Sequence, residues 1–455
     1  MTSSLRPGGP VESGFRLSEI LSALSYALDI TEGQPEGHAV RTCLIGMRLA
    51  DTVGFPAADR GALFYALLLK DLGCSSNAAR LCAIFGADDR ALKRQHRLTD
   101  WAGTLPSLGY VLRHAVPSSS PWARAARVAA LAVGERGSGR EMVRTRCDRG
   151  AEIAAMLGFS EVTREAIRTL DEHWDGRGLP AGLPGEAIPL AGRIVCLAQS
   201  VEVFAARYGV EAAIAVARER RGSWFDPALV DGLRSLRRDA ALWQQVSGPA
   251  PRAHLGALEP EDEVRVVDDA TLDLIAEAFA RVIDAKSPYT FRHSEGVAAV
   301  AVEIGRAMEL EPEELSDLRR AGLLHDIGKL GVSNLILDKP GKLTEEEMAQ
   351  VRLHPVYTQQ ILARVPAFAG IVEAASAHHE RLDGKGYHLG LPGPRLSAMA
   401  RALAVADVYD ALTADRPYRA GLPRDEVLGM LRRQSGTALC PEGVEALASG
   451  VADTG

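Results

Sequence analysis

The spacing of apolar residues predicts helices almost everywhere from Leu17 onward. The segments are rich in Ala, Leu, Arg and Glu, which favour helices, and they contain few β-branched runs. The alternation of apolar and polar residues that is typical of half-buried strands does not occur, and aromatic residues make up only 5% of the chain. The pattern therefore predicts an all-α fold.

One predicted helix, near residue 290, carries a histidine on the face that should pack against the core. His293 lies at helical spacing from a stripe of apolar residues, namely Val297, Ala301, Ile304 and Met308. A second predicted helix opens with Thr344 and Glu347, which form a capping-box pattern, and ends at His354 just before a proline. Two histidines are thus expected at core-facing positions.

Two later segments repeat this feature. In residues 367–380 the apolar stripe leads, at its next helical step, to His378 and His379. In the helix predicted for LSAMARALAVADVYDAL, Asp407 and Asp410 lie on the apolar face. Polar side chains again take positions where a core helix usually has Leu or Val.

The sequence AGLLHDIGKLG (residues 321–331) places His325 beside Asp326 among apolar residues. Taken singly, each of these polar residues is best explained as a buried, hydrogen-bonded side chain. Taken together they would cost about 1–3 kcal/mol each if poorly paired, against a total stability of about 5–15 kcal/mol. A bound metal removes this cost, and a set of imidazoles and carboxylates without cysteine predicts a dinuclear iron, manganese or zinc-type centre. The predicted ligands are His293, His325, Asp326, His354, His378, His379 and Asp407.

Composition narrows the function classes. A chain of 455 residues has room for about two to four domains. The net charge of −7 argues against binding to nucleic-acid polymers or membrane surfaces. The N-terminus has no signal-peptide pattern, and no apolar run approaches the length of a membrane span. Six scattered cysteines without a CxxC pair indicate a reduced, cytoplasmic protein: Cys43, Cys74, Cys82, Cys147, Cys196 and Cys440.

The chain divides into two similar parts. His38 and His293 are separated by 255 positions, as are Lys70 and His325, and the sequences around each pair match. Farther along, the matching segments are 208 positions apart, so the first copy has about 47 extra residues, within 88–139. We therefore predict two tandem helical bundles related by internal duplication. The predicted boundaries are a disordered tail (1–15), a first half (16–246), a linker rich in Pro, Gly and acidic residues (247–268) and a second half (269–455).

The motifs of the second half resemble the HD-GYP family of metal-dependent phosphohydrolases. Five motifs occur in the family's order: His293, HDIGK, His354 before a proline, HHERLDGKGY, and Asp407 within ADVYDALTADRPYR. The family is an all-helical branch of the HD superfamily and hydrolyses the bacterial messenger cyclic di-GMP. The two parts of the chain are accordingly expected to be HD-type bundles.

The resemblance also implies roles for individual residues. One metal would be held by His293, His325, Asp326 and Asp407, and the other by His354, His378 and His379, with Asp326 bridging; Fe and Mn are the favoured ions. Asp326 and Lys329 would be catalytic. Lys329 would also contact the substrate phosphate, together with Arg416 and Arg419.

The sequence departs from the family at two points in the second half. The GYP signature reads GYH at residues 386–388, so the proline is replaced by His388, which puts partner docking in doubt more than chemistry. A glutamate that binds a third metal in some members is Tyr289 here, so two metals are expected.

The first half has lost most of the ligand set. His325 is matched by Lys70, which is expected to pair with the retained Asp71, while Asp148 matches His354 and Ser200 matches Asp407. Leu170 and Asp171 replace the two adjacent histidines. This half is expected to be non-catalytic and to serve in dimer formation or in binding a signalling partner.

Three functions remain open from the sequence. The favoured one is a phosphodiesterase that cleaves cyclic di-GMP to linear pGpG, with GMP as a further product. A phosphohydrolase of the same superfamily acting on another nucleotide is the second, because pocket selectivity is not visible in the sequence. A non-enzymic signalling scaffold is the third, prompted by the degenerate first half and the altered GYP loop.

Overall fold

The computed structural model describes residues 14–96, 98–99, 138–248, 251–260, 264–288, 292–415 and 420–450. Within these residues the backbone forms helices and 3₁₀ turns, joined only by isolated bridges such as Arg16 with Val266. The predicted all-α fold is confirmed. Residues 1–13 of the predicted tail lie outside the described residues.

Eleven helices are described in the first half. They are α1 (Leu17–Thr31), α2 (His38–Thr52), α3 (Arg60–Leu69), α4 (Ala78–Phe85), α5 (Asp89–His96), α6 (Ser138–Met156), α7 (Glu161–Thr169), α8 (Leu190–Tyr208), α9 (Val210–Glu219), α10 (Pro227–Ser235) and α11 (Ala240–Ser247).

Ten helices are described in the second half. They are α12 (Asp269–Asp284), α13 (His293–Ala307), α14 (Pro312–Leu324), α15 (Asn334–Leu337), α16 (Glu345–Val351), α17 (His354–Leu362), α18 (Val372–Ser376), α19 (Ala398–Thr413), α20 (Arg424–Gln434) and α21 (Pro441–Gly450).

Local sequence signals explain where the helices near the site begin and end. Thr344 and Glu347 form the predicted capping box at the start of α16, with Thr344 N–H donating to Glu347 at 2.7 Å. That helix ends at Val351, earlier than predicted, and His354 begins a new helix with Pro355 in its first turn. Proline is compatible with the first turn because no intrahelical bond is needed there. His354 is therefore placed by the start of α17.

The two halves share one continuous hydrophobic core. The segment predicted as a linker contributes to it: Pro251–Ala257 forms a 3₁₀ turn, Leu255 is buried, and the buried Glu259 accepts hydrogen bonds from Ser18 and Tyr65 of the first half. Within the predicted linker, residues 251–260 are thus folded against the first half. The domain boundaries themselves stay a prediction.

All six cysteines are buried and free of disulfides, as the scattered spacing predicted. Among the described residues, no helix combines the length and the apolar character needed to cross a bilayer.

Candidate active site

His325 and Asp326 lie where a helix turns sharply into a 3₁₀ turn. They follow α14 directly and precede the turn Ile327–Gly331. A Cβ atom on Gly328 would lie 1.9 Å from the carbonyl oxygen of His354, so only glycine permits this approach. The close contact brings the start of α17, and with it His354, against the His-Asp pair.

Three histidines are oriented alike by nearby backbone carbonyls. The Nδ1 atoms of His325, His354 and His378 lie 2.8, 2.7 and 2.7 Å from the carbonyl oxygen three residues earlier. A carbonyl can only accept, so each ring carries a proton on Nδ1 and directs its Nε2 atom at the cluster. Such a second hydrogen bond is how proteins orient metal-binding histidines.

The predicted ligands converge in the structure. Within each of three groups the potential ligand atoms lie within 4.8 Å of one another: His354, His378 and His379; His293, His325 and Asp407; and His325, Asp326 and His378. Seven side chains from five separate stretches of sequence are thus brought into one cluster.

Asp326 lies between the two sets of histidines. Its Oδ2 atom is 3.4 Å from Nε2 of His325 and 3.8 Å from Nε2 of His293. Its Oδ1 atom is 3.4 Å from Nε2 of His354 and 3.9 Å from Nε2 of His378. Each oxygen of this carboxylate faces a different set, as a bridging ligand requires.

Asp407 completes one of the two sets. Its Oδ1 atom is 3.3 Å from Nε2 of His293 and 3.7 Å from Nε2 of His325, and its Oδ2 atom is 4.0 Å from Nδ1 of His379. Nδ1 of His293 lies 2.6 Å from Oδ2 of Asp410, so Nε2 of His293 remains directed at the cluster. Asp410 was placed on the apolar face by the sequence but was given no role; it orients the histidine.

Unpaired polar atoms show that the donor set fits a cation. In the described part of the chain, Nε2 of His325 and Oδ1 of Asp326 are buried without a hydrogen-bond partner. The Nε2 atoms of His354 and His378 lie 3.1 Å apart although both present lone pairs. Two imidazole nitrogens bound at right angles to one metal, each at about 2.1 Å, would be separated by about 3 Å. The arrangement suits a divalent metal.

The imidazole-only set is electrically neutral. Burial lowers the pKa of His354 and of His379 to about 3, and it holds the pKa of His378 well below its usual value. These three rings therefore stay unprotonated at neutral pH and need lose no proton to bind a metal.

In the carboxylate-containing set, nearby negative charges raise the pKa values of the histidines. Burial disfavours a charge on His325, but Asp326 and Asp407 outweigh it and raise the pKa of His325 to about 10. Burial is likewise outweighed at His293, where Asp407 and Asp410 raise the pKa to about 8. This side of the cluster attracts positive charge, and a metal ion binding there would displace protons.

Lys329, Tyr387 and Arg352 line the edge of the cluster. Nζ of Lys329 bonds to Oδ2 of Asp326. The ring of Tyr387 stacks on His379 at 4.8 Å between centroids, and the guanidinium of Arg352 lies 5.7 Å from the centre of the Tyr387 ring. Arg352 was not among the predicted site residues, although it lies two residues before the predicted ligand His354.

Arg416, Arg419 and Tyr289 lie outside the described residues. The roles assigned to the two arginines, and the argument from Tyr289 against a third metal, therefore stay predictions.

Comparisons with known proteins match nearly the whole chain. The chain is 41% identical over 438 residues to the 3′3′-cGAMP-specific phosphodiesterase 3 of Vibrio cholerae, covering 96% of this chain and 95% of that protein. A crystal structure of a cyclic GMP-AMP specific phosphodiesterase from V. cholerae superposes with a TM-score of 0.64 at 38% identity, covering 95% of this chain and 97% of that one. The HD domain family matches residues 137–229 and 277–442, more than half of the chain. The chain belongs to the HD-GYP family of the HD superfamily.

A second kind of relative matches only part of this HD-GYP chain. A cyclic di-GMP phosphodiesterase of Pseudomonas aeruginosa is 37% identical over 205 residues, which is 44% of this chain and 47% of that protein. The V. cholerae protein, which matches along nearly the whole chain, is named for 3′3′-cGAMP, whereas this shorter match is named for cyclic di-GMP.

The signature loop of this HD-GYP protein has a positive φ angle at its third residue. His388, at the position of the family's proline, has a φ angle of 97°, whereas a proline ring fixes φ near −65°. The buried Glu380 holds the loop by accepting the N–H groups of Leu389 at 2.7 Å and Leu391 at 3.1 Å. The loss of proline therefore accompanies a loop conformation that proline could not adopt.

The first half of the HD-GYP chain has a lysine at the centre of the corresponding cluster. His38 begins α2 as His293 begins α13, and its Nδ1 atom contacts Glu202. Nζ of Lys70 lies 3.0 Å from Nε2 of His38 and bonds to Asp71, so the predicted pairing of Lys70 with Asp71 is confirmed. An ammonium group thus lies among the remaining potential ligands.

An arginine takes the other position, which corrects the sequence match. A Cβ atom on Gly73 would lie 1.8 Å from the carbonyl oxygen of Arg146, just as Gly328 approaches His354. Arg146, and not Asp148, therefore stands where His354 does, and it pairs with Asp171.

The match of Asp407 with Ser200 also shifts by one residue. Glu202 contacts His38 as Asp410 contacts His293, so Gln199 is the residue that corresponds to Asp407. Nε2 of Gln199 donates to the carbonyl oxygen of Leu170 at 3.2 Å.

Proposed function

We propose that this protein is a metal-dependent phosphodiesterase of cyclic dinucleotides, with 3′3′-cGAMP as its preferred substrate. The observation that carries the proposal is the position of Asp326, whose two oxygens face two separate sets of ligand atoms. The unpaired buried atoms of His325 and Asp326 support it, because a bound cation would satisfy both.

The proposed ligands form two adjoining sites. One comprises His293, His325, Asp326 and Asp407, and the other comprises His354, His378, His379 and the second oxygen of Asp326. Mixed imidazole and carboxylate donors favour iron or manganese. Two divalent ions held there would supply a hydroxide nucleophile at neutral pH and would neutralise charge developing on the phosphoryl oxygens.

The metal count has a matched control within the chain. Elemental analysis of the full-length protein should give about two divalent ions per chain, and His293→Gln should lower this count because it removes a ligand lone pair. His38→Gln changes the corresponding histidine of the first half, where Lys70 already lies 3.0 Å away, and should leave the count unchanged. Loss of metal in His38→Gln would contradict the assignment of both ions to the second half.

Residues of the chain would position the substrate around these ions. Lys329 is partly exposed and has the carboxylate of Asp326 as its ion-pair partner. With divalent ions held by that carboxylate, the ammonium group of Lys329 would be free to contact a phosphate oxygen. The hydrogen bonds at the Nδ1 atoms keep the imidazole lone pairs aimed inward, so the site needs little rearrangement during the reaction. In-line attack on phosphorus would break one P–O3′ bond and give a linear dinucleotide.

The expected substrate changes from cyclic di-GMP to 3′3′-cGAMP. The sequence resemblance implied cyclic di-GMP, but the relative that aligns over 96% of this chain is named for 3′3′-cGAMP, whereas the cyclic di-GMP phosphodiesterase from P. aeruginosa aligns over 44%. The similarity to the 3′3′-cGAMP enzyme includes the first half, which the shorter relative does not match to the same extent. We therefore base the proposed preference for the mixed dinucleotide on this nearly full-length match.

A direct assay tests the proposal. Full-length protein loaded with Mn²⁺ or Fe²⁺ should convert 3′3′-cGAMP to a linear dinucleotide, and should convert cyclic di-GMP more slowly at equal concentration. Chromatography of the products distinguishes the two reactions. A faster reaction with cyclic di-GMP would contradict the substrate preference, and failure to cleave either compound would contradict the phosphodiesterase assignment.

A cytoplasmic location, and a homodimer or signalling partner bound through the first half, are further proposals from the sequence. Cell fractionation tests the first, and light scattering of the purified protein tests for a dimer.

A further inference from the structure

The loop that carries Lys329 is held by a helix of the first half. Nη1 of Arg90, on α5, donates a hydrogen bond to the carbonyl oxygen of Gly331. Gly331 is also tightly enclosed, because a Cβ atom there would lie 2.8 Å from the ring of Tyr357 and 3.4 Å from Ile30 of the first half. Since Gly331 is two residues beyond Lys329, these contacts fix the end of the turn from which Lys329 projects.

A buried ion pair holds the next part of the same loop. Oδ1 of Asp89, beside Arg90, accepts the backbone N–H of Asn334 at 3.1 Å, and its Oδ2 atom lies 3.2 Å from Nζ of Lys286 in the second half. The carbonyl oxygen of Lys286 in turn accepts from Nδ2 of Asn334 at 2.7 Å. Asp89 and Lys286 are both buried, so separating the halves here would leave two unpaired charges.

Helix α5 is firmly attached to its own half. Nζ of Lys93 donates to the carbonyl oxygen of Cys74 at 2.7 Å, and Nε of Arg94 donates to the carbonyl oxygen of Gly33. A Cβ atom on Gly33 would lie 2.5 Å from the carbonyl oxygen of Arg90, so the helix packs directly against this glycine. Helix α5 therefore offers a rigid support from which Arg90 and Asp89 reach the second half.

The position of α5 in the sequence adds an independent argument. It lies at the start of residues 88–139, the stretch that is extra in the first half when the two halves are aligned. This part of the insertion contacts the loop that follows the HDIGK motif of the other half.

We propose that Arg90 and Asp89 are positioning residues that hold Lys329 in its working place, so that the non-catalytic half acts on catalysis through α5. The effect on turnover rests on the proposed function. The turn sets where the Lys329 side chain begins, so a displaced backbone moves the region that its ammonium group can reach. A displacement of about 1 Å in a positioning element can reduce a rate by about 100-fold.

Arg90→Ala is the first test, because Arg90 is partly exposed and its removal leaves no charge buried. We expect the turnover number with 3′3′-cGAMP to fall at least about tenfold while KM and metal content change little. Arg94→Ala is the matched control, since that arginine lies on the same helix but, among the described residues, donates to Gly33 of the first half. Arg90→Lys should recover part of the turnover because lysine can still donate to a carbonyl. A turnover number unchanged in Arg90→Ala would overturn the proposal.

A double variant tests whether Arg90 acts through Lys329. If it does, Arg90→Ala should cause little further loss of turnover in a Lys329→Ala background, although it causes a large loss in the wild type. An equal loss of turnover in the wild-type and Lys329→Ala backgrounds would show that Arg90 does not act through Lys329.

Hydrogen exchange tests the contact independently of any substrate. The N–H of Val332 closes the turn on the carbonyl oxygen of Lys329 at 3.0 Å, and the N–H of Asn334 is bound by Asp89. In metal-loaded, substrate-free protein both amides should exchange faster in Arg90→Ala than in Arg94→Ala or wild type. Unchanged exchange would overturn the proposal whatever the substrate is, whereas absence of wild-type turnover would count against the proposed function alone and leave this measurement to decide.

Discussion

Replacing Asp326 with alanine is expected to abolish hydrolysis, with a loss of at least about 10³-fold. Each oxygen of this carboxylate faces a different set of proposed ligands, so the substitution removes a donor from both metal sites. Metal assistance contributes several kcal/mol to such reactions, and about 4 kcal/mol corresponds to 10³ in rate. Activity with 3′3′-cGAMP and metal content by elemental analysis should fall together.

The corresponding residue of the first half provides the control for Asp326→Ala. Asp71→Asn removes a buried charge that pairs with Lys70, so it should lower the thermal unfolding midpoint. It should leave the metal content of the second half intact. Near-normal activity in Asp326→Ala would contradict the dinuclear mechanism, and metal loss in Asp71→Asn would contradict the division of roles between the halves.

Lys329→Ala should separate chemistry from metal binding. If the lysine contacts phosphate and is not a ligand, the variant keeps its metals and loses about 10²–10³ in turnover, the range for removal of one preorganised charge donor. Single-turnover kinetics and elemental analysis of the same sample measure both quantities. Lys385→Ala removes an exposed lysine from the HHERLDGKGY segment and should change neither.

A loss of metal in Lys329→Ala would assign this lysine to the structure of the site. The contact of its Nζ atom with Asp326 makes this a real alternative, because removing the ammonium group alters the charge balance of a buried carboxylate. The two outcomes are distinguished by metal content before any rate is measured.

The ligand set could be predicted because helical periodicity reveals which polar residues occupy positions that are usually apolar. His293 and Asp407 departed from the expected core pattern, and the structure brings their side chains within 3.3 Å of each other. The partner of His293 at Nδ1 could not be assigned in the same way. Asp410 is 117 residues away in sequence, and its distance from the histidine depends on how α13 packs against α19.

The register of the first half could have been predicted from the sequence. The separation of 208 positions places Arg146 opposite His354 and Gln199 opposite Asp407, so the matches with Asp148 and Ser200 did not follow it. Packing agrees with this separation, because Gly73 admits the carbonyl oxygen of Arg146 at a distance that no side chain could tolerate. The bond from Asp89 to Asn334 could not be predicted, because 245 residues separate them and the inserted helix has no counterpart to compare.

The basic side chains of the first half have a practical consequence for experiments on this protein. Lys70 and Arg146 are covalently part of the chain, so a chelator cannot extract them and a change in cellular metal supply cannot alter their occupancy. A chelator should therefore remove cations from the second half while the charge balance of the corresponding cluster in the first half stays unchanged. Because the halves share one hydrophobic core, any loss of stability on chelation should appear in the unfolding of the whole chain.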